Sequence, residues 1–407
     1  MLRIRPLQGL RPAPQFVSQV ACVPYDVVDR DEAAALAQGN PRSLLHVDRA
    51  EIDLPRDTDP YSDAVYAKAL ENFTSLQNDG VLIREPGRVV YLYQQIMGNH
   101  VQAGIAALCH IDDYAQNLIK KHEKTRKDKE DDRTRLIDTL SADTGPVFLT
   151  YRDQEAIDRF VNRARRSAPL YDFTAPDGIR HTVWRIDHPG ELVDDFGHIP
   201  CAYVADGHHR TASAVRVGLE RRANNPHHTG REDYNWFLAV LFPASQLKIL
   251  PYNRCVHDLN GWTVEELLMK LKAAGFTLTA PADSAPPCPG EVRMFFDGKW
   301  HRVAWTPDPD ADPIARLDVT VLQDRLLAPI LGIDDPRTSK RIDFIGGIRG
   351  TPELEQRVED GRAAVAFSMY PTTVEQLMDI ADAGAIMPPK STWFEPKLRS
   401  GLFIHTF

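Results

Sequence analysis

The chain has 407 residues, 43% of them apolar and 26% charged, with a net charge of −9 and an isoelectric point near 5.9. This is ordinary globular composition, long enough for two or three domains of roughly 100–200 residues each. The acidic balance gives no overall footprint for DNA, RNA or an anionic membrane, and no stretch supplies the about 18 continuous apolar residues of a membrane span.

The opening, "MLRIRPLQGL", lacks the apolar region of a secretory signal. Five cysteines (Cys22, Cys109, Cys201, Cys255 and Cys288) are scattered without a C-x-x-C pair, which argues against a disulfide framework or a zinc knuckle. A reducing cytoplasm is the expected setting. Residues 61–78 have helical periodicity. "RVVYLYQQIM" (88–97) reads as a strand, Gly98-Asn99 as a turn and "HVQAGIAAL" (100–108) as its hairpin partner. "KKHEKTRKDKEDDRTR" (120–135) reads as a solvated helix laced with i,i+4 pairs such as Glu123–Lys127, with Leu136, Ile137 and Leu140 burying its far end.

A helix is expected over 155–167 and a second hairpin over 173–186, turning at Asp177-Gly178. "CAYVA" (201–205) is a short apolar strand and Asp206-Gly207 a turn. "HHRTASAVRVGL" then opens a helix with Ala212, Val215 and Leu219 on one side. A strand, a glycine turn and a helix N-terminus make an anion site, because the first N–H groups lack partners and the dipole is positive there. His208, His209 and Arg210 add donors at that spot, and Arg forks onto phosphate oxygens. Asp206 among these cations has three open roles: capping the helix, holding Mg²⁺, or taking a proton from a hydroxyl. There is no Walker loop and no G-x-G-x-x-G.

"WFLAVLFP" (236–243) reads as a buried strand, and 263–274 and 373–383 as helices, the last with a capping box from Thr372 and Glu375. "TAPADSAPPCPG" (279–290) is the clearest linker or surface loop. "DFIGGIRG" (343–350) is another phosphate-loop candidate, although Gly-Gly pairs mostly make turns. "MPPKSTWFEPKLRSG" (387–401) contains three prolines, which excludes helix and central strand. Its Lys390, Ser391, Thr392 and Lys397 are phosphate-type ligands in a stiffened stretch, with Trp393 and Phe394 as anchors.

Five stretches carry a resemblance: "VPYDVV" (23–28), "NPRSLLHV" (40–47), "KKHEKTRKDKEDDR" (120–133), "ADGHHRTASA" (205–214) and "MPPKSTWFEPKLRSGL" (387–402). Over its whole length the chain resembles the bacterial family called domain of unknown function 1015. Its central "DGHHR" resembles the phosphate motif of the ParB/sulfiredoxin superfamily, most closely that of its free-serine kinases. The resemblance singles out His122, Glu123, Thr125, Arg126, Lys129 and Arg133. It implies Glu123 as a general base and Arg126 and Lys129 as phosphate clamps.

The expected fold is α+β: a mixed sheet with a ParB/sulfiredoxin-like core around the DGHHR helix, plus a C-terminal α/β portion. The expected domains are 1–255, carrying both motifs, and 256–407, whose final loop returns to the site. The expected function is phosphoryl transfer on a small hydroxylated amino acid, serine or phosphoserine, with ATP or ADP and bridging Mg²⁺. The alternatives are a phosphoserine phosphatase and a nucleotide-binding regulatory module without turnover. Catalytic candidates are Asp206, His208, His209 and Glu123, with Asp206 also the metal candidate. Binding candidates are Arg210, His122, Arg126, Lys129, Arg133, Lys390, Ser391, Thr392 and Lys397. The partners are a small-molecule substrate and a nucleotide, with neither nucleic acid nor membrane.

Overall fold

Two apolar runs flank the turn at Gly98, and the computed structural model, which describes all 407 residues, pairs them across it. Chain contacts divide the protein into two compact units, Met1–Leu247 with Pro396–Phe407, and Lys248–Glu395. The division falls ahead of the expected 255/256 boundary, and Pro396–Phe407 belong to the first unit. The Pro-rich stretch lies within the second unit, where Thr279 closes a strand and 280–290 form a loop without regular structure.

The first unit is built on a nine-stranded sheet. In chain order its strands are β1 (Ile4–Arg5), β2 (Val90–Met97), β3 (His100–His110), β4 (Ile119–Lys120), β5 (Val147–Tyr151), β6 (Tyr171–Thr174), β7 (Arg180–Ile186), β8 (Ala202–Asp206) and β9 (Trp236–Pro243). They run in the order β4-β8-β5-β9-β3-β2-β7-β6, with β1 beside β3. Most neighbours are antiparallel, but β4 with β8 and β5 with β9 are parallel. The sheet is therefore mixed, and the unit is α+β. Strand alternation sets the core: Ala103, Ile105, Ala107 and Cys109 of β3 share one buried layer with Phe237, Ala239 and Leu241 of β9.

A second apolar cluster lies among helices. Val65, Tyr66, Ala69, Phe73 and Leu76 form the buried face of α1 (Asp63–Asn78). They pack with Leu136 and Leu140 of α2 (Lys127–Leu140). The charge run behaves differently from expectation. Helix α2 starts only at Lys127, so Glu123 lies in the preceding loop and cannot make an i,i+4 pair. Lys127 pairs instead with Asp131 at 2.5 Å.

Helix α3 (His208–Asn224) follows β8 and packs on α2. Its buried set is wider than an Ala212–Val215–Leu219 stripe: Thr211, Ser213, Ala214, Val215, Val217 and Gly218 are buried, whereas Leu219 is 41% exposed. The helix is enclosed on two sides, which polar residues must then accommodate. Ser213 donates to the Glu130 carbonyl of α2 at 3.0 Å.

The second unit holds a six-stranded antiparallel sheet of β10 (Tyr252–Val256), β11 (Thr277–Thr279), β12 (Glu291–Phe296), β13 (Lys299–Ala304), β14 (Ile342–Gly346) and β15 (Val365–Ser368). Their order is β11-β13-β12-β15-β10-β14. The helix over Val374–Asp382 is capped one residue later than expected, by a Thr373–Gln376 box. Thr372 is used elsewhere, its hydroxyl donating to the Ser391 carbonyl at 3.0 Å. The Gly346-Gly347 pair serves packing rather than phosphate: a Cβ on Gly346 would meet the Trp393 ring at 2.8 Å, and one on Gly347 the Pro251 carbonyl at 2.5 Å.

Candidate functional site

Strand β8 delivers Asp206 to the edge of the first unit's core, and the chain turns at once into α3. Gly207 makes this possible. Its φ of +88° is a left-handed conformation, and an added Cβ would meet the Arg210 guanidinium at 3.0 Å. Gly207 is the N-cap, and no side chain caps the helix. Asp206 therefore does not cap, one of the three roles its position left open. The first turn of α3 keeps its N–H groups without intrahelical acceptors, and the dipole adds positive potential there.

Asp206 is instead the centre of an ion-pair cluster. Its Oδ2 lies 3.3 Å from Lys397 Nζ and 3.6 Å from Arg210 Nη2. Arg210 Nη2 is also 3.9 Å from Asp26 Oδ2. Burial raises the Asp206 pKa, but Lys397, Arg210 and His208 together outweigh it and hold the carboxyl down at about 2. Arg210 is buried, donates from Nη1 to the Pro146 carbonyl, and keeps an Nε that has no hydrogen-bond partner. Lys397 is fixed from behind, where its carbonyl accepts from Gln95 Nε2 at 2.8 Å. Two acids thus flank one buried arginine, with a lysine from the far end of the sequence beside them.

The histidines separate into two roles. His208 is buried and its ring meets that of His122 edge-on, with centroids 4.5 Å apart and planes at 87°. Burial is the main reason the His208 pKa falls to about 4, and it also pushes His122 well below its ordinary value. Both rings are therefore neutral near pH 7. Glu123 joins them, with ligand-type atoms of the three residues all within 4.8 Å of one another. His209 points elsewhere, its Nε2 accepting from the Arg126 backbone N–H at 3.0 Å. It ties the loop before α2 to the start of α3.

The remaining basic candidates are occupied to different degrees. Arg126 is exposed and pairs with Asp128 at 2.8 Å. Lys129 donates to the Tyr61 hydroxyl at 3.2 Å. Arg133 pairs with Asp132 at 2.7 Å, donates to the Asp48 carbonyl and stacks 4.1 Å over Tyr25. Lys390, Ser391 and Thr392 belong to the second unit. There Lys390 lies 5.5 Å over the Tyr252 ring, and the Ser391 hydroxyl donates to the Pro388 carbonyl at 2.7 Å. Of the C-terminal candidates, only Lys397 lies in the unit that carries DGHHR.

Sequence reasoning missed Asp26, Tyr25 and Asp48. "VPYDVV" stands out as a stretch, but nothing in one sequence assigns chemistry to an acid in a short turn. A cavity of about 30 Å³ lies among Tyr25, Asp48, Arg133, Thr144, Arg210 and Ser400. That volume holds water rather than a nucleotide. Asp48 is buried against it and accepts from Thr144 Oγ1 at 2.6 Å, and burial raises its pKa. A separate cleft of the first unit, about 420 Å³, contains His46 and Asp53 but none of the residues above.

The fold and this cluster define an α+β protein in which acids, an arginine and a lysine converge on the N-terminus of one helix. The chain belongs to the family described as Protein of unknown function (DUF1015), which matches residues 4–320. No curated protein matches the sequence. Among solved structures, it is similar to a conserved hypothetical protein from Pyrococcus furiosus at 14% identity and a TM-score of 0.37, covering 73% of this chain and 94% of that one. It is similar to a free serine kinase in complex with AMP at 11% identity and a TM-score of 0.37, covering 73% and 91%. SbnI with a C-terminal truncation, from Staphylococcus aureus, is similar at 13% identity and a TM-score of 0.40, covering 74% and 86%. No helix is long and apolar enough to cross a membrane.

Proposed function

We propose that the protein is a nucleotide-dependent phosphotransferase acting on a small hydroxylated amino acid, serine or phosphoserine. The observation that carries this reading is the Asp26–Arg210–Asp206–Lys397 cluster at the uncapped N-terminus of α3. Phosphoryl transfer asks a protein mainly for position and for charge around the moving group. The α3 N–H groups, Arg210 and Lys397 supply positive charge at one place. The likeness of "DGHHR" to the free-serine kinase motif supplies the substrate class.

A carboxylate held ionised at about 2 is a weak base near neutrality. Asp206 therefore orients the hydroxyl and Lys397 rather than storing a proton. A loose transition state demands little more, because the attacking oxygen forms its bond late. Asp26, on the other side of Arg210, is the second acid within reach. A magnesium ion arriving with the nucleotide would find carboxylate oxygens at Asp206 and Asp26, and when bound it would neutralise phosphate charge.

Calorimetric titration tests this. ATP or ADP and phosphoserine should each bind the parent, and both should weaken in Arg210→Ala. Binding of nucleotide alone, with no response to serine or phosphoserine, would favour a regulatory module and overturn the proposal.

A further inference from the structure

We propose that His122, Glu123 and His208 form a binding site for a first-row transition-metal dication such as Zn²⁺ or Co²⁺. The site is distinct from any magnesium carried in by a nucleotide. Two imidazoles and one carboxylate, all with ligand-type atoms within 4.8 Å of one another, come from two different segments of the chain. His122 and Glu123 lie in the loop between β4 and α2, and His208 is the first residue of α3. The sheet order places β4 directly beside β8, the strand that leads into α3.

Three observations point to an ion. The first is ring geometry. Two imidazoles on one ion, at metal–nitrogen distances of about 2.1 Å, would have centroids about 4.6 Å apart at a right angle and about 5.3 Å apart at a tetrahedral angle; the observed separation of 4.5 Å fits the right-angled arrangement. The second is an unsatisfied atom. His208 is only 6% exposed, yet its Nε2 has no hydrogen-bond partner, an arrangement that costs free energy unless something binds there. The third is support from behind. The His122 ring is hydrogen-bonded to the backbone of Val204 in β8, as the outer nitrogen of a metal-bound histidine ordinarily is.

The donor set also selects the ion. Imidazole suits Zn²⁺ and Co²⁺ better than Mg²⁺, which takes oxygen ligands and keeps its waters. Three protein ligands leave positions open for water or a phosphate oxygen. Asp206 is close enough to act electrostatically on both histidines, so a bound ion would share its field with the Asp206–Lys397–Arg210 cluster. Lys121 acts on His208 in the opposite sense.

The test uses the full-length protein, stripped with a chelator and titrated with ZnCl₂, CoCl₂, MnCl₂ or MgCl₂ alone. One equivalent of Zn²⁺ or Co²⁺ should bind, with visible Co²⁺ bands typical of nitrogen and oxygen ligation, and Mg²⁺ should not compete. Glu123→Gln and His208→Ala should each weaken Zn²⁺ by at least the tenfold to hundredfold, roughly, that losing even an outer partner costs. His227→Gln, on an exposed loop, should bind as the parent does. If His208→Ala fails to fold, the nearly isosteric Glu123→Gln decides. Absence of stoichiometric Zn²⁺ binding in the parent, or equal affinity in the parent and Glu123→Gln, would overturn the proposal. These readouts need no turnover, so the metal site and the phosphotransferase reading can fail separately.

Discussion

Replacing Asp206 by Asn removes the charge at the centre of the cluster and keeps its shape. In the folded protein the carboxyl ionises at about 2, against 3.8 for the ordinary group. A tenfold change in proton affinity is worth about 1.4 kcal/mol, so the ionised state stabilises the fold by about 2 kcal/mol. About a quarter of the side chain is exposed, and solvent screening reduces this to about 1–2 kcal/mol. Because the folded value lies below the unfolded one, the stabilisation is complete above pH 3.8 and is lost as the pH falls towards 2. Asp206→Asn should therefore lower the unfolding free energy by about 1–2 kcal/mol at pH 7, with the gap closing under strong acid. Urea titrations of both proteins at pH 7, 4 and 3 measure this directly. The same variant removes one counter-charge from beside Lys397 and Arg210, while Asp26 stays beside Arg210. Phosphate ligands should then bind at least as tightly as to the parent, while turnover falls. Equal stability at pH 7, together with weaker phosphate binding, would refute the electrostatic account of the cluster.

Arg210→Ala should weaken nucleotide and phosphoserine binding by tenfold to a hundredfold, about 1.5–3 kcal/mol, read by calorimetry. Gly207→Ala, which forces a side chain into φ +88° against the Arg210 guanidinium, should lower stability by at least about 1–2 kcal/mol in chemical denaturation. His405 is buried and its pKa is depressed to about 4, chiefly by burial. Unfolding takes up a proton there below the ordinary value of 6.5, so stability should decline as the pH falls from 6.5 towards 4, and less steeply in His405→Gln.

Much of the fold was legible because its signals are local. The hairpin of β2 and β3 announces itself by two apolar runs around Gly98, and the strand–glycine–helix passage at 202–224 by its turn and its polar helix start. The charge run misled because composition records solvation but not where a helix begins. Its first residues form a loop that carries His122 and Glu123 to α3. The Thr372 and Thr373 alternative could not be decided from sequence either, since both hydroxyls are followed at the right spacing by a suitable partner and only the loop at Ser391 claims one of them. Asp26 was not legible as a site residue. Its meaning depends on Arg210, more than 180 residues away in the chain, and no local pattern encodes that meeting. Lys397 could be suspected from its stiffened surroundings, but its pairing with Asp206 is a product of the final segment rejoining the first unit.

The central claim is that this site moves a phosphoryl group between a nucleotide and an amino-acid hydroxyl. Phosphorus-31 NMR of the full-length protein, incubated with Mg²⁺ and either serine plus ATP or ADP, or phosphoserine plus the product nucleotide, tests it most directly. The account predicts phosphoserine appearing, or being consumed, only in step with the matching change in the nucleotide, and no such change in Arg210→Ala. Free phosphate released from phosphoserine without any nucleotide, or unchanged spectra in every mixture, would contradict it.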